Sequence, residues 1–472
     1  MIFVASTPGD DRFHGLLAAT AIGVYLLLLV GATTALTDAA AACAAWPACG
    51  DGWTTPGTAA GWLAIGHRVA AILVGLLGVA ALLTGVRAGI DRRVLAAMAV
   101  AGVLYPVQAG LGAFVAAGGA TSTLSTVHLT VGLAIFAALV VALAWALERT
   151  TGDPTDRPVD DLDLDPPAPT GSGDTGSSEG GPVGVVATAE AYLRLTKPRL
   201  MWLLCLVAAA GMALAATTTG GLTVGVVLAT LGGGVLSIGA SGTFNHVFER
   251  DIDRRMQRTN DRPLATDIVP VRNALAFGVA LAAGSLALFA WVNLRAAVLG
   301  LAAIVFYSVV YTLLLKPNTV QNTVIGCAAG ALPALIGWVA VAVEIGPVGV
   351  GLAAVIFLWT PAHFYNLALA YKDDYERGGF PMMPVVRGET ETRKQILWYL
   401  AATLVAAGAL ASMEALGVVY ALTSVAFGAA FLYFAVRLHY EQTEQAAFRS
   451  FHASNAYLGA LLVAVVVDTL VV

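Results

Sequence analysis

Asn245-His246-Val247-Phe248-Glu249-Arg250-Asp251-Ile252-Asp253 closes a long apolar run, and the spacing of its polar groups decides what kind of fold can carry it. On a helix, steps of four residues drift by only about 40°, so Asn245, Glu249 and Asp253 share one face. Oxygen donors stacked in that way suit Mg2+. Arg250, Arg254, Arg258 and Arg262 follow at the same interval. Carboxylates beside guanidinium groups offer what a diphosphate and its metal need, oxygens for the ion and forked donors for phosphate. Taken alone, such an acidic motif is more often a cytoplasmic loop made basic by membrane topology and balanced by neighbouring acids. The surrounding sequence separates the two readings.

The chain has 472 residues, of which 58 % are hydrophobic and 12 % charged, and its mean hydropathy is +0.79. A soluble globule usually carries about 25 % charged residues, so a soluble fold is excluded. Apolar runs fall near 13–36, 59–86, 94–117 and 122–147, then near 200–217, 222–247, 271–291, 296–315, 322–343, 347–371, 394–413, 416–437 and 453–471. Each approaches the roughly 20 residues that a bilayer demands. The expected fold is all-α and polytopic, a four-helix bundle followed by a nine-helix bundle in the lipid bilayer. The first apolar run continues into that bundle, so no cleavable signal peptide is expected.

Arg and Lys fall on alternate connections, among them Arg12, Arg87, Arg149, Lys197, Arg250 to Arg262, Lys316, Lys372 and Arg437, whereas 37–58 and 118–121 carry none. This asymmetry predicts a multi-pass protein of the plasma membrane with a cytoplasmic N-terminus, Arg295 being the exception. Residues 150–189 place Asp153, Asp156, Asp160, Asp161, Asp163, Asp165, Asp174 and Glu179 among Pro, Gly, Ser and Thr. Such a composition cannot bury enough apolar surface to order itself, and it reads as a flexible cytoplasmic linker. The expected division is 1–149, 150–189 and 190–472. No nucleic-acid signature is present.

A second polar cluster closes the sixth span of the nine-helix half: Trp359-Thr360-Pro361-Ala362-His363-Phe364-Tyr365-Asn366, then Tyr371-Lys372-Asp373-Asp374-Tyr375. Polar groups at membrane depth are costly and usually functional. The topology puts Asp373 and Asp374 on the same side as Glu249 and Asp253, where two acidic motifs could hold metal ions against one diphosphate above an apolar tunnel for an isoprenoid tail. Taken singly, Asp373 and Asp374 would be solvated loop acids.

Residues 190–472 resemble the protohaem IX farnesyltransferase (haem O synthase) family of UbiA-type intramembrane prenyltransferases. The resemblance rests on Leu195-Thr196-Lys197-Pro198-Arg199, Asn245 to Asp253 with Arg258-Thr259 and Arg262-Pro263-Leu264, Tyr311-Thr312 to Lys316, Gln321 to Gly326, Gly330-Ala331-Leu332-Pro333, and His363-Phe364 through Asp374 to Pro384-Val385-Val386-Arg387-Gly388. It implies a nine-helix bundle, farnesyl diphosphate and haem B as substrates, Mg2+ as cofactor, and haem A synthase or terminal-oxidase assembly proteins as further partners. A vinyl group is a feeble nucleophile, so neutralising the departing diphosphate is the main catalytic task. Asn245, Glu249, Asp253 and Asp374 are the expected catalytic metal-site residues, with Asp373 as a further metal candidate. Arg199, Arg258, Arg262 and Lys316 are the expected diphosphate clamps. The wider superfamily commonly has DxxxD as its second motif. Here Ala370 stands four before Asp374, leaving Asp373 or Asn366 to supply the missing oxygen.

In the first half, His67 and His128 lie at comparable depth in two spans, which permits one haem between two imidazoles. A hydrogen-bonded packing role is the plainer alternative for each. Residues 13–147, with Cys43 to Cys49, Trp62 to Arg68 and Gln108 to Gly112, resemble one half of haem A synthase. That resemblance implies haem binding by His67 and His128 and a disulfide between Cys43 and Cys49. Two small free thiols are the alternative, and Cys205 and Cys327 read as packing residues. The Glu common in that family three residues before the first His is Ala64 here. Two other functions fit parts of the pattern: a quinone or lipid prenyltransferase using the same diphosphate site, and a haem-binding membrane carrier.

Overall fold

The computed structural model describes residues 8–36, 43, 45–49, 56–118, 121–153, 156, 184–413 and 416–471. They form helices α1 (Pro8–Leu36), α2 (Ala59–Arg87), α3 (Arg92–Gly118), α4 (Ser122–Thr151), α5 (Val185–Leu195), α6 (Pro198–Thr219), α7 (Val224–Phe248), α8 (Arg250–Asp253), α9 (Val271–Val292), α10 (Leu294–Val305, continued by a π-helical stretch Phe306–Leu315), α11 (Asn322–Ala342), α12 (Pro347–Ala370), α13 (Lys372–Arg377), α14 (Met383–Val386), α15 (Glu389–Ala411), α16 (Val418–Glu441) and α17 (Glu444–Val471). Thirteen are long and apolar enough to cross a membrane, one for each expected run. The last begins at Glu444, nine residues before the apolar run, because polar residues 444–452 still satisfy their backbone groups as helix.

Several starts are written locally. Thr58, Thr121, Thr223 and Asn293 each adopt extended backbone and accept a hydrogen bond from the amide three residues on. Each such cap is worth about 1 kcal/mol. Of the predicted linker, α4 takes residues up to Thr151 and α5 takes those from Val185. Residues 154–155 and 157–183 lie outside the described residues, and with them most of the expectation of disorder.

Packing sorts the chain into two compact units, 1–155 with 393–472, and 156–392. This grouping differs from a cut along the chain at 150–189, because the last three long helices pack with the first four. In that unit the Tyr25 and Ser424 hydroxyls share a buried hydrogen bond of 2.6 Å, and the Tyr25 and Phe136 rings lie 5.2 Å apart. Lys394 meets Glu148 at 2.7 Å. Buried Asp468 of α17 accepts the amides of Gly417 and Tyr420 at 2.9 and 2.8 Å, so a side chain of one helix caps the start of its neighbour α16.

The second unit, α5 to α14, contains the polar ends of α7 and α12. Its tightest crossing is α6 on α11. A Cβ added at Gly337 would collide with the Ala208 carbonyl oxygen and sit 2.8 Å from its carbon, and one added at Gly211 would collide with the Ala334 carbonyl oxygen. Small residues allow that backbone approach where lipid supplies no hydrophobic drive.

Candidate diphosphate and metal site

The backbone leaves ideal helix at Glu249 (φ −95°, ψ 3°), yet the i to i−4 ladder carries through. The Glu249 amide donates to Asn245 O at 2.9 Å and the Asp253 amide to Glu249 O at 2.8 Å. Asn245, Glu249 and Asp253 therefore stack as their spacing predicts, at 2 %, 4 % and 2 % exposure. Burial at that level demands partners, and each group has a cation. Lys316 Nζ donates to Glu249 Oε1 at 2.6 Å. Arg262 Nη1 donates to both Asp253 oxygens at 2.8 Å and lies 3.9 Å from Glu249 Oε2. Lys197 Nζ donates to Asn245 Oδ1, and Asn245 Nδ2 to Thr312 Oγ1 at 3.2 Å.

The charges tune one another. Burial raises the Glu249 carboxyl, but Lys316 and Lys197 outweigh it and hold the group below the usual range. At Asp253 burial prevails over Arg262, and its carboxyl lies above the usual range. Burial, aided by the charge of Arg262, brings the Lys197 ammonium down to about 7 against the pull of Glu249 and Asp253.

Lys197 is the residue that sequence reasoning passed over in favour of Arg199. It precedes Pro198 with φ +53° in left-handed conformation, strained for a side chain with a Cβ. That turn carries Lys197 toward α7 and leaves Arg199 exposed. Gly242 on α7 makes room: a Cβ there would lie 2.9 Å from the Leu195 carbonyl oxygen and 3.3 Å from Lys197 Cγ. Gly242→Ala is therefore expected to displace Lys197 and lower product formation about a hundredfold, the scale of losing one preorganised donor. Turnover of the purified variant within threefold of the parent would refute this.

The π-helical stretch Phe306–Leu315 explains how Lys316 reaches the same site. At roughly 4.4 residues per turn, a step of nine returns almost to the same face. In an α-helix the same step ends on the opposite face. Tyr307 and Lys316, nine apart, both reach the acidic site: Tyr307 Oη lies 3.4 Å from Lys197 Nζ while Lys316 holds Glu249. The Lys316 amide donates to Tyr311 O at 2.9 Å, the i to i−5 pattern. No spacing rule applied to the sequence indicates a π-helix here.

The arginine series is only partly realised. After α8 the chain turns instead of continuing as helix, so Arg254 pairs with Asp267 and Arg250 with Asp251, and only Arg262 converges on the acids. Arg258 is exposed, its guanidinium 5.1 Å and 5.7 Å from the Tyr371 and Tyr375 rings. Asp374 is buried but committed to the protein: it accepts the amides of Gln257 at 2.7 Å and Arg258 at 3.1 Å and is held by Arg377 at 2.8 Å. Burial raises its carboxyl, yet these donors bring it below the usual range. Asp373 is exposed. Among the described residues no three acids, histidines or cysteines gather on their own as a metal cluster, and the backbone amides of the segment that follows the first motif meet Asp374. Of the two groups left to complete the second motif, Asn366 is fully buried, with Nδ2 on Ala362 O and Oδ1 without a partner among the described residues.

The donors running from α7 through Glu249 into α8 fit a hard cation: one amide oxygen and two carboxylates on one face, with room in the coordination of Mg2+ for waters and phosphate oxygens. Each oxygen is meanwhile satisfied by a cation able to turn to a phosphate.

In the other unit, His67 and His128 each have a buried Nδ1 without a partner among the described residues. Gly31 faces His67 and Gly112 faces His128, where added Cβ atoms would lie 3.4 and 3.1 Å from the imidazole Cε1. Gln108 Nε2 lies 3.4 Å from His128 Nε2. Each imidazole thus has an unpartnered ring nitrogen and packs against a glycine of another helix. Cys43 and Cys49 form a disulfide. The neighbouring Arg68 donates to the carbonyls of Cys43, Ala45, Pro47 and Ala48 at 2.7–3.0 Å, which satisfies its guanidinium donors and ties that loop to α2.

Residues 203–459 match the UbiA prenyltransferase family. Protoheme IX farnesyltransferase of Haloquadratum walsbyi is 69 % identical over 473 residues, 98 % of this chain and 97 % of that protein. The same-named protein of Haloarcula marismortui is 63 % identical over 462 residues, 97 % and 98 % of the two chains. Protoheme IX farnesyltransferase 1 of Saccharopolyspora erythraea is 45 % identical over 285 residues, 60 % of this chain and 90 % of that one.

Proposed function

The chain belongs to the UbiA prenyltransferase family, and from that premise we propose how its own residues carry out the farnesylation of protohaem IX to haem O. The reaction breaks the bond between farnesyl C1 and the diphosphate oxygen and joins C1 to the outer carbon of a haem vinyl group; the cation left on the inner vinyl carbon takes up water and releases a proton, leaving a hydroxyl there. The observation that carries the assignment of residues is the buried stack of Asn245, Glu249 and Asp253 with a cation on each member. These three would hold Mg2+, whose chemistry is to neutralise the diphosphate. Lys197, Lys316 and Arg262 exchange their carboxylate and amide partners for phosphate oxygens, so the leaving group meets charge that is already in place. Tyr307, beside Lys197, presents a ring near the same point and stabilises the allylic cation by its π face. Asp374 orders the 257–258 backbone, Arg258 lies over the α13 tyrosines at its rim, and Asn366 supplies the oxygen that Asp373 does not. The test is incubation of the purified chain with farnesyl diphosphate, haem B and Mg2+. Haem O by mass and stoichiometric diphosphate are expected; prenylation of an added quinone with haem B untouched would overturn the reading.

For the first four helices we propose haem binding by His67 and His128, supported by their open nitrogens and the facing glycines. The purified chain is expected to show low-spin bis-imidazole absorption, lost in His67→Ala and His128→Ala while haem O synthesis persists. Spectra unchanged in both variants would return these residues to packing. From the basic-residue asymmetry we infer that residues 150–189 face the cytoplasm; cleavage there by protease added to intact cells would overturn that orientation.

A further inference from the structure

At the turn from α16 to α17, a cavity of about 140 Å³ is lined by Tyr433, Phe434, Arg437, Glu441, Ala446 and Arg449. Two guanidiniums share one carboxylate in it. Arg437 donates Nε to Glu441 Oε1 at 2.8 Å and pairs with that oxygen again through Nη2, while Arg449 pairs with Oε2. Arg437 also donates Nη1 to Tyr433 Oη at 3.3 Å. Two cations on one anion leave a surplus positive charge, and Nε and Nη1 of Arg449 have no protein acceptor among the described residues. By length and composition the candidate spans end at Glu441 and resume at Glu444, and a turn between two spans lies at the level of the lipid headgroups. Tyr433 lies eight residues before Glu441, roughly 12 Å deeper by helix rise, and it is 53 % exposed. The cavity thus runs from a phosphate-seeking end to an aromatic, apolar end.

We propose that this cavity binds the anionic phosphodiester headgroup of a membrane lipid, with the lipid chain along Tyr433 and Phe434. Arg449 supplies the open donors and Arg437 orients Glu441 and Tyr433. A headgroup that is merely zwitterionic cancels its own phosphate charge and gains less from the surplus cation, while a free phosphate leaves the aromatic end without a partner. A pair that only stapled α16 to α17 would need one arginine, not two.

The test is native mass spectrometry of the full chain released from nanodiscs of phosphatidylglycerol mixed with phosphatidylcholine. One retained phosphatidylglycerol is expected in preference to phosphatidylcholine by about fivefold, the value of one cation near an anionic headgroup. Arg449→Ala is expected to lose the preference. Glu441→Gln, which frees both guanidiniums, is expected to keep or increase it, whereas a purely structural staple would lose stability and lipid together in that variant. Equal retention of the two lipids, preference unchanged in Arg449→Ala, loss of bound lipid in Glu441→Gln, or displacement of the lipid by inorganic phosphate or by farnesyl diphosphate would each overturn the proposal. Haem O synthesis by Arg449→Ala in detergent is expected to match the parent, which separates this site from the transferase site.

Discussion

Glu249→Gln is expected to lower haem O formation by about a thousandfold, at the upper end for a single preorganised charge in a water-excluded site. Two effects coincide in that variant. An oxygen proposed to hold the metal loses its charge, and the Lys316 ammonium, within 2.6 Å of Glu249 and itself buried, loses its counter-charge. Leaving a buried ion unpaired costs about 3–5 kcal/mol, so part of the loss would be misfolding. Lys316→Met added to Glu249→Gln separates them, because the double variant has no unpaired ion and its thermal stability should recover while haem O formation stays at background. If activity recovers along with stability, Glu249 is a structural partner of Lys316 and the diphosphate site lies elsewhere. Asp253→Asn with Arg262→Leu gives the same comparison one turn along.

The stacking of Asn245, Glu249 and Asp253 was legible because it depends on local spacing alone, and the ladder runs through Glu249 almost undisturbed. Lys316 was legible as a cation near the acids, but its route was not, since the register that brings it there is a π-helix. Arg199 and Lys197 stand two apart around a proline, and only the left-handed backbone at Lys197 tells which of them turns inward. Asp374 shows what local spacing leaves out: the amides that meet its carboxylate belong to residues more than a hundred positions away. Arg254 and Arg258 leave the helical series because the chain turns after α8, whereas Arg250, on α8 itself, pairs with Asp251.

The division of the chain was the least legible feature. Composition marks 150–189 plainly, and a cut there leaves a family match over 203–459 on one side. Apolar runs do not announce their neighbours, however, because any span can satisfy its surface with lipid. The decisive groups are few and polar: Ser424 against Tyr25, Lys394 against Glu148, and Gln442 Nε2 against the Thr151 carbonyl at 2.6 Å. Each is an ordinary residue in the sequence and becomes informative only when its partner is known. A chain starting at residue 184 would leave the partners on α15 and α16 unsatisfied, so the first four helices contribute to the stability of the last three as well as being tethered to them.

The second large effect is expected where no chemistry occurs. Gly337→Ala should destabilise the transferase helices by about 3 kcal/mol or more, the upper range for overpacking, because the added methyl meets backbone and no rotamer change can relieve it. The obstacle is the Ala208 carbonyl, with its carbon 2.8 Å from the new Cβ, and the reciprocal Gly211 faces the Ala334 carbonyl and the Trp338 amide nitrogen, the latter at 3.1 Å. Helices α6 and α11 must therefore separate or slide. Since α6 begins at Pro198, directly after Lys197, any shift of α6 also moves the Lys197 ammonium away from Asn245, and catalysis should fall further than stability alone accounts for. Gly234→Ala is the matched control: a Cβ there meets nothing within 4 Å, and exchanging a mid-helix glycine for alanine is neutral or favourable by up to about 1 kcal/mol. Thermal unfolding of the two variants in the same detergent decides the matter, with Gly337→Ala lowered by many degrees and Gly234→Ala level with or above the parent. Equal midpoints would mean that α6 and α11 are free to adjust at this crossing, and that the position of Lys197 is set by Gly242 and the left-handed turn alone.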